Sequence, residues 1–145
     1  MKKLLFMLMF ITSSSLAQQP KDNDCKDPQS SAGIEIMDKM HQLMGIETES
    51  IVQEKTITEI IANTPVTDRL AAQFAQEDYA ASDDRLVSFK KIKSLYSENN
   101  ARNLIIKFTF ENRLKKHNVF LVSSLANDNE CGVRFNGYLI VKREF

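Results

Sequence analysis

The chain holds 145 residues, with 19 Lys+Arg against 19 Asp+Glu, two Cys, two His and no Trp. Four Gly and three Pro exclude collagen-like and low-complexity classes, and 43% hydrophobic residues are too many for a disordered chain. The length suits one domain, and a formal net charge of zero argues against bulk nucleic-acid binding.

Met1-Lys2-Lys3 precedes an unbroken apolar run from Leu4 to Ile11, and polar Thr12 to Ser15 leads into Ser15-Leu16-Ala17. A short positive region, an apolar stretch and small residues before a cleavage point form a secretory signal peptide, with cleavage expected after Ala17. The apolar run is about half of the roughly 20 residues that a bilayer span requires, so no stable membrane anchor is expected. A lipid anchor would need a Cys directly after the small residues, where Gln18 and Gln19 stand. The expected product is a periplasmic or secreted protein: a leader over 1–17, an extended arm over 18–29, and one domain over 30–145.

Ser30 and Ser31 are cap residues for a helix that ends at Gly45. Glu47 to Asn63 reads two ways. Ile51, Val52, Thr56, Ile57, Thr58, Ile60 and Ile61 favour a strand by composition, whereas Ile57, Ile60 and Ile61 also suit a helix face; the β-branched content tips the reading to strand. Thr64-Pro65 predicts the cap and first residue of a second helix, with Val66, Leu70 and Phe74 at four-residue spacing, running to about Ser82. Beyond it the period falls to two. Leu86 to Ser97 reads as a strand with Lys90-Lys91 at a bulge, and Leu104, Ile106, Phe108 and Phe110 alternate as a half-buried strand. A hairpin loop over Asn112 to Lys115, a strand at Val119 to Val122 and a turn over Ala126 to Glu130 follow. In the last strand Val133, Phe135, Leu139 and Val141 share one face, and Arg134, Asn136, Tyr138 and Lys142 the other.

The expected fold class is therefore α+β: N-terminal helices, with or without one strand, packed on a four-stranded antiparallel meander. This layout is similar to the cone-shaped folds typified by nuclear transport factor 2, and to cystatin-like sheets that wrap a helix. The likeness is one of topology, which hosts unrelated functions.

Cys25 and Cys131 both lie in the exported part, where an even pair reads as a disulfide closing a loop of about 105 residues. Met37, Met40, His41 and Met44 share one helix face. Thioethers and imidazole suit Cu(I), but methionine more commonly fills an irregular core gap, so no metal and no cofactor is assigned.

Catalytic motifs are absent from the sequence. There is no G-x-S-x-G, no H-E-x-x-H and no phosphate-cradling glycine loop. Adjacent carboxylates such as Glu77-Asp78 and Asp83-Asp84 point apart rather than forming an acid/base pair. No enzyme activity and no catalytic residue is assigned.

Charge is divided along the chain. Residues 18–84 carry fourteen acids and five bases, and residues 85–145 carry five acids and twelve bases. The simple reading is two oppositely charged parts of one domain that partly face each other. The functional reading is a basic surface of Lys90, Lys91, Lys93, Lys107, Arg134 and Lys142 on the sheet, shared with Tyr138, that engages an acidic protein or an anionic envelope component and not nucleic acid. The leading expectation is thus an exported accessory, inhibitor or immunity-type binding protein. The alternatives are a small-ligand or enzymatic cone-shaped domain with its pocket between the first helix and the sheet, and a Cu(I) carrier.

Overall fold

The computed structural model describes residues 22–82 and 86–145; the predicted leader, the start of the predicted arm and residues 83–85 lie outside them. From Asp22 the arm is folded back rather than extended. α1 (Asp22–Cys25) is a single turn, Cys25 is buried, and the Ser30 hydroxyl donates to its carbonyl at 3.0 Å. α2 (Ser31–Met44) starts and stops on the expected signals: Ser30 Oγ accepts from the Gly33 N–H, and Gly45 takes φ 68° to end the helix. Two single turns at 48–50 and 53–55 lead to β1 (Ile57–Pro65), so the strand reading of this segment is right for its second half.

Two boundaries are corrected. Thr64-Pro65 closes β1, and the helix cap is Thr67, whose Oγ1 accepts from the Leu70 N–H at 3.2 Å, opening α3 (Asp68–Ala81). The segment predicted as a strand over 86–97 is α4 (Phe89–Ser97), capped by Ser88. Phe89, Ile92 and Tyr96 stand at i, i+3 and i+7, and that helical spacing buries them against α3, which no alternating pattern would do.

β2 (Arg102–Glu111), β3 (His117–Ala126) and β4 (Arg134–Lys142) complete a four-stranded antiparallel sheet in the order β1-β2-β3-β4. The meander is therefore as expected in strand number, but its first strand is β1 and not 86–97. One face is the core. Leu104, Ile106, Phe108 and Phe110 from β2 join Phe120 and Val122 from β3, and Ile36, Met37 and Met40 of α2 close over them. Each such fully buried side chain contributes roughly 1.5–3 kcal/mol, so this layer dominates the stability.

The disulfide forms. Cys25 and Cys131 have Cα atoms 4.9 Å apart and join α1 to the β3–β4 loop across 106 residues. Glycines permit the tight junction: a Cβ on Gly132 would lie 2.3 Å from Ser31 Cβ, and one on Gly33 2.2 Å from the Pro28 carbonyl oxygen. At the other end of the sheet, buried Asn118 holds the C-terminal residues. Its Nδ2 donates to the Phe145 carbonyl, and its Oδ1 accepts from the Glu144 and Phe145 N–H groups.

Candidate functional site

α2 covers one face of the sheet, and the register shows what stands on the other. Four rows of paired residues cross the strands there: Ile57-Thr109-Val119-Lys142, Glu59-Lys107-Leu121-Leu139, Ala62-Ile105-Ser123-Gly137, and Thr64-Asn103-Leu125-Arg134. The helical pair α3–α4 covers only the last row, packing Ala71, Ala75 and Tyr96 against Leu125 with Phe74, Phe89, Ile92 and Val133 around them. No helix of the described residues lies over the first three rows. Leu139 remains 62% exposed and Ile57 67%, with Ile105, Leu121 and Val119 half-buried between them.

Leu139 reaches this face through a bulge. Ser124 pairs with Phe135 and Ser123 with Gly137, so Asn136 is an extra residue and the alternation of β4 flips behind it, until a second extra residue, Val141, between the Phe120–Ile140 and Val119–Lys142 pairs returns Lys142 to the outer face. Tyr138 consequently faces the core, with its ring edge-on to Phe120 at 6.0 Å, while Leu139 turns outward. This corrects the predicted faces of both residues. The available signal was Gly137 inside a strand pattern, which marks a bulge; its φ of 128° is open to glycine and strained for other residues. The side chain missing at Gly137 leaves a shallow hollow of about 400 Å³, bordered by Ile105, Leu121, Ser123, Asn136 and Leu139.

The predicted basic surface does not come together. Lys90, Lys91 and Lys93 are on α4, off the sheet, and Lys93 is paired with Asp68 at 2.6 Å. The three predicted cations that are on the sheet are each matched by acid: Lys107 with Glu59 (4.0 Å), Lys142 with Glu144 (2.8 Å), and Arg134 with Glu77 (2.9 Å) and Asp78 (3.0 Å). Acids of residues 18–84 thus meet bases of residues 85–145 at Lys93, Lys107 and Arg134, which takes up part of the charge division.

Arg134 is the hub of the densest polar cluster. Its guanidinium forks onto Asp78 through Nε (3.2 Å) and Nη2 (3.0 Å), lies 4.4 Å from the Phe74 ring centre, and donates from Nη1 to Asn136. The Tyr96 hydroxyl donates to the same carboxylate. Burial would raise the Asp78 carboxyl, but the hydrogen bonds from Arg134 and Tyr96, with the guanidinium charge, outweigh it and hold it below its ordinary value. Burial, then the bond to Asp78 and its charge, pushes the Tyr96 phenol up to about 12. Asn136 carries the network on to Asn103 and to Ser123, which stands in the uncovered rows. Since every member is engaged with another protein group, the cluster acts as a clamp between the helical pair and β4.

The remaining sequence candidates are scattered. Met37 and Met40 are buried in the core and Met44 packs at its edge, whereas His41 is exposed beside Glu47 at 3.5 Å. The four side chains therefore do not converge. Ile36, Met37 and Met40 also fill the space between α2 and the sheet where a ligand pocket was envisaged. His117 stands between Glu111 (3.1 Å) and Glu144 (3.8 Å), where it helps to fasten the C-terminal residues. No family model, curated protein or solved structure matches this chain.

Proposed function

We propose that this protein is an exported, non-enzymatic binding module that engages another protein through the uncovered face of its sheet. The observation that carries the reading is the apolar centre of that face, Ile105, Leu121 and Leu139 flanked by Ile57 and Val119, with no helix of the described residues above it. Exposed apolar side chains in adjoining rows are what a protein interface desolvates, and the polar rim of Glu59, Lys107 and Lys142 suits its edge. The hollow at Gly137 is too shallow to enclose most of a small ligand, as ligand sites do. With Lys107 and Lys142 already matched by acid, the face lacks the concentrated positive field that a nucleic acid requires. The Cys25–Cys131 bond supports an oxidising compartment, in agreement with the leader read from the sequence.

The test compares the oxidised protein with Leu139→Glu and with Lys90→Glu/Lys91→Glu as baits in an envelope extract of the native host. The reading expects a protein captured by the parent and by the α4 variant and lost with Leu139→Glu. If no captured protein depends on Leu139, the reading fails. Sedimentation of the purified protein covers the other occupant: a dimer that Leu139→Glu dissociates would assign the face to a second copy instead.

A further inference from the structure

The β2–β3 hairpin tip, at the opposite end of the sheet from the α3–α4 corner, joins features that the proposed sheet interface does not use. Arg113, Leu114, Lys115 and Lys116 are all exposed, and Leu114 is 76% exposed at the apex. None of the three cations forms an ion pair among the described residues. The acids at this end have partners or positions of their own: Glu111 and Glu144 face His117, Glu144 also takes Lys142, and Glu49 borders the hollow beside Arg113 and Leu114.

The loop is built to hold this shape. Asn112 is buried, and its Oδ1 accepts from the Leu114 N–H (2.9 Å) and the Lys116 N–H (3.0 Å). Its own N–H donates to the Lys116 carbonyl, and the Lys115 N–H donates to its carbonyl. Lys115 is in the left-handed region at φ 59°, a conformation that a lysine seldom adopts, and the surrounding bonds impose it. The turn thereby holds an exposed leucine beside three exposed cations.

We infer that this hairpin tip is a reversible contact with an anionic phospholipid surface: Arg113, Lys115 and Lys116 meet the headgroup phosphates while Leu114 enters the acyl boundary. Charge alone would fit any polyanion. The apolar apex selects a bilayer, whose interface offers negative charge and hydrocarbon within a few ångströms of each other. One such loop gives weak, salt-sensitive attachment, in keeping with a chain in which no described helix is long and apolar enough to cross a membrane. Each cation near an anionic leaflet adds about five-fold to the partition coefficient, so neutralising all three should lower it roughly a hundred-fold.

The experiment is vesicle co-sedimentation of protein produced and exported from the full-length gene. Vesicles of equimolar phosphatidylglycerol and phosphatidylcholine are compared with pure phosphatidylcholine, and a soluble polyanion, dextran sulfate, serves as the competing source of charge. All variants share the N-terminus of the parent, so differences between them read the tip. The parent should bind the anionic vesicles at low salt and be released by high salt. Arg113→Gln/Lys115→Gln/Lys116→Gln should abolish binding, Leu114→Asn should weaken vesicle binding about ten-fold but leave dextran sulfate binding unchanged, and Lys90→Gln/Lys91→Gln should bind like the parent. Equal vesicle binding by Leu114→Asn and the parent would assign the tip to soluble polyanions and overturn the proposal. So would anionic vesicle binding that survives the triple substitution, or its absence in the parent. All these side chains are exposed, so the unfolding midpoints should coincide, which a thermal melt of each variant checks.

Discussion

Replacing Arg134 tests whether the polar cluster truly fastens the helical pair to the sheet. Arg134→Met keeps an unbranched stem against Phe74 and removes the charge. The fork onto Asp78, counted as one charge-assisted contact because the carboxylate is partly solvated, is worth about 1.5–3 kcal/mol when lost. The contact with the Phe74 ring adds about 0.5–1 kcal/mol. Glu77, with a side chain 49% exposed, adds little, because water already solvates it. Asp78 keeps the Tyr96 hydroxyl and is 37% exposed, so it is not left as a buried orphan charge, and the total stays near 2–4 kcal/mol. That is a sizeable share of the 5–15 kcal/mol typical of a whole domain. Urea unfolding at neutral pH should show the midpoint falling with an unchanged slope. Arg134→Lys, which restores a point charge without the fork, should recover only part of the loss. In native-state hydrogen exchange, α3 and α4 amides should lose protection before those of β2 and β3, since the clamp joins the former to the sheet. A loss below about 0.5 kcal/mol, in the range of ordinary surface substitutions, would mean that the network is a solvated decoration and the reasoning is wrong.

The clamp also predicts how stability depends on pH. The Asp78 carboxyl is depressed, so its contribution is present above the unfolded value near 3.9 and disappears as pH falls through the folded one. The Tyr96 phenol is raised to about 12, so the unfolded chain loses its proton first and stability declines as pH climbs from about 10 to 12. Spectroscopic titration against Tyr96→Phe should locate that phenol, and Asp78→Asn should move it back toward 10. For the disulfide, the chain-entropy model gives about 4–5 kcal/mol for a loop of this size; urea unfolding with and without reductant measures it, and an unchanged midpoint would contradict the model. Met40→Ala should cost about 2–5 kcal/mol as a core cavity, and Met44→Ala, at the margin of that core, much less. Equal losses at the two positions would show that the α2 packing is misassigned.

The parts of this molecule legible in its sequence are those governed by local rules. The α2 caps at Ser30 and Gly45, the alternating phenylalanines of β2 and the turn at Asn112 each depend on a few consecutive residues, and each stands where it was expected. The cysteine pair was legible by counting, because two thiols in an oxidising setting have one simple partnership. Other features turned on contacts between distant segments. Residues 86–97 have β-compatible composition, yet packing of Phe89, Ile92 and Tyr96 against α3 makes them a helix, and propensity is too small a term to resist such burial. One extra residue at Asn136 then exchanged Tyr138 for Leu139 between the two faces, because a strand with a period of two inverts its side chains beyond an insertion until a second one, here Val141, restores them. Charge could be counted from the sequence but not paired. Only the tertiary structure set Arg134 between Glu77 and Asp78, and Lys107 beside Glu59, which removed the basic sheet face and left an apolar one in its place.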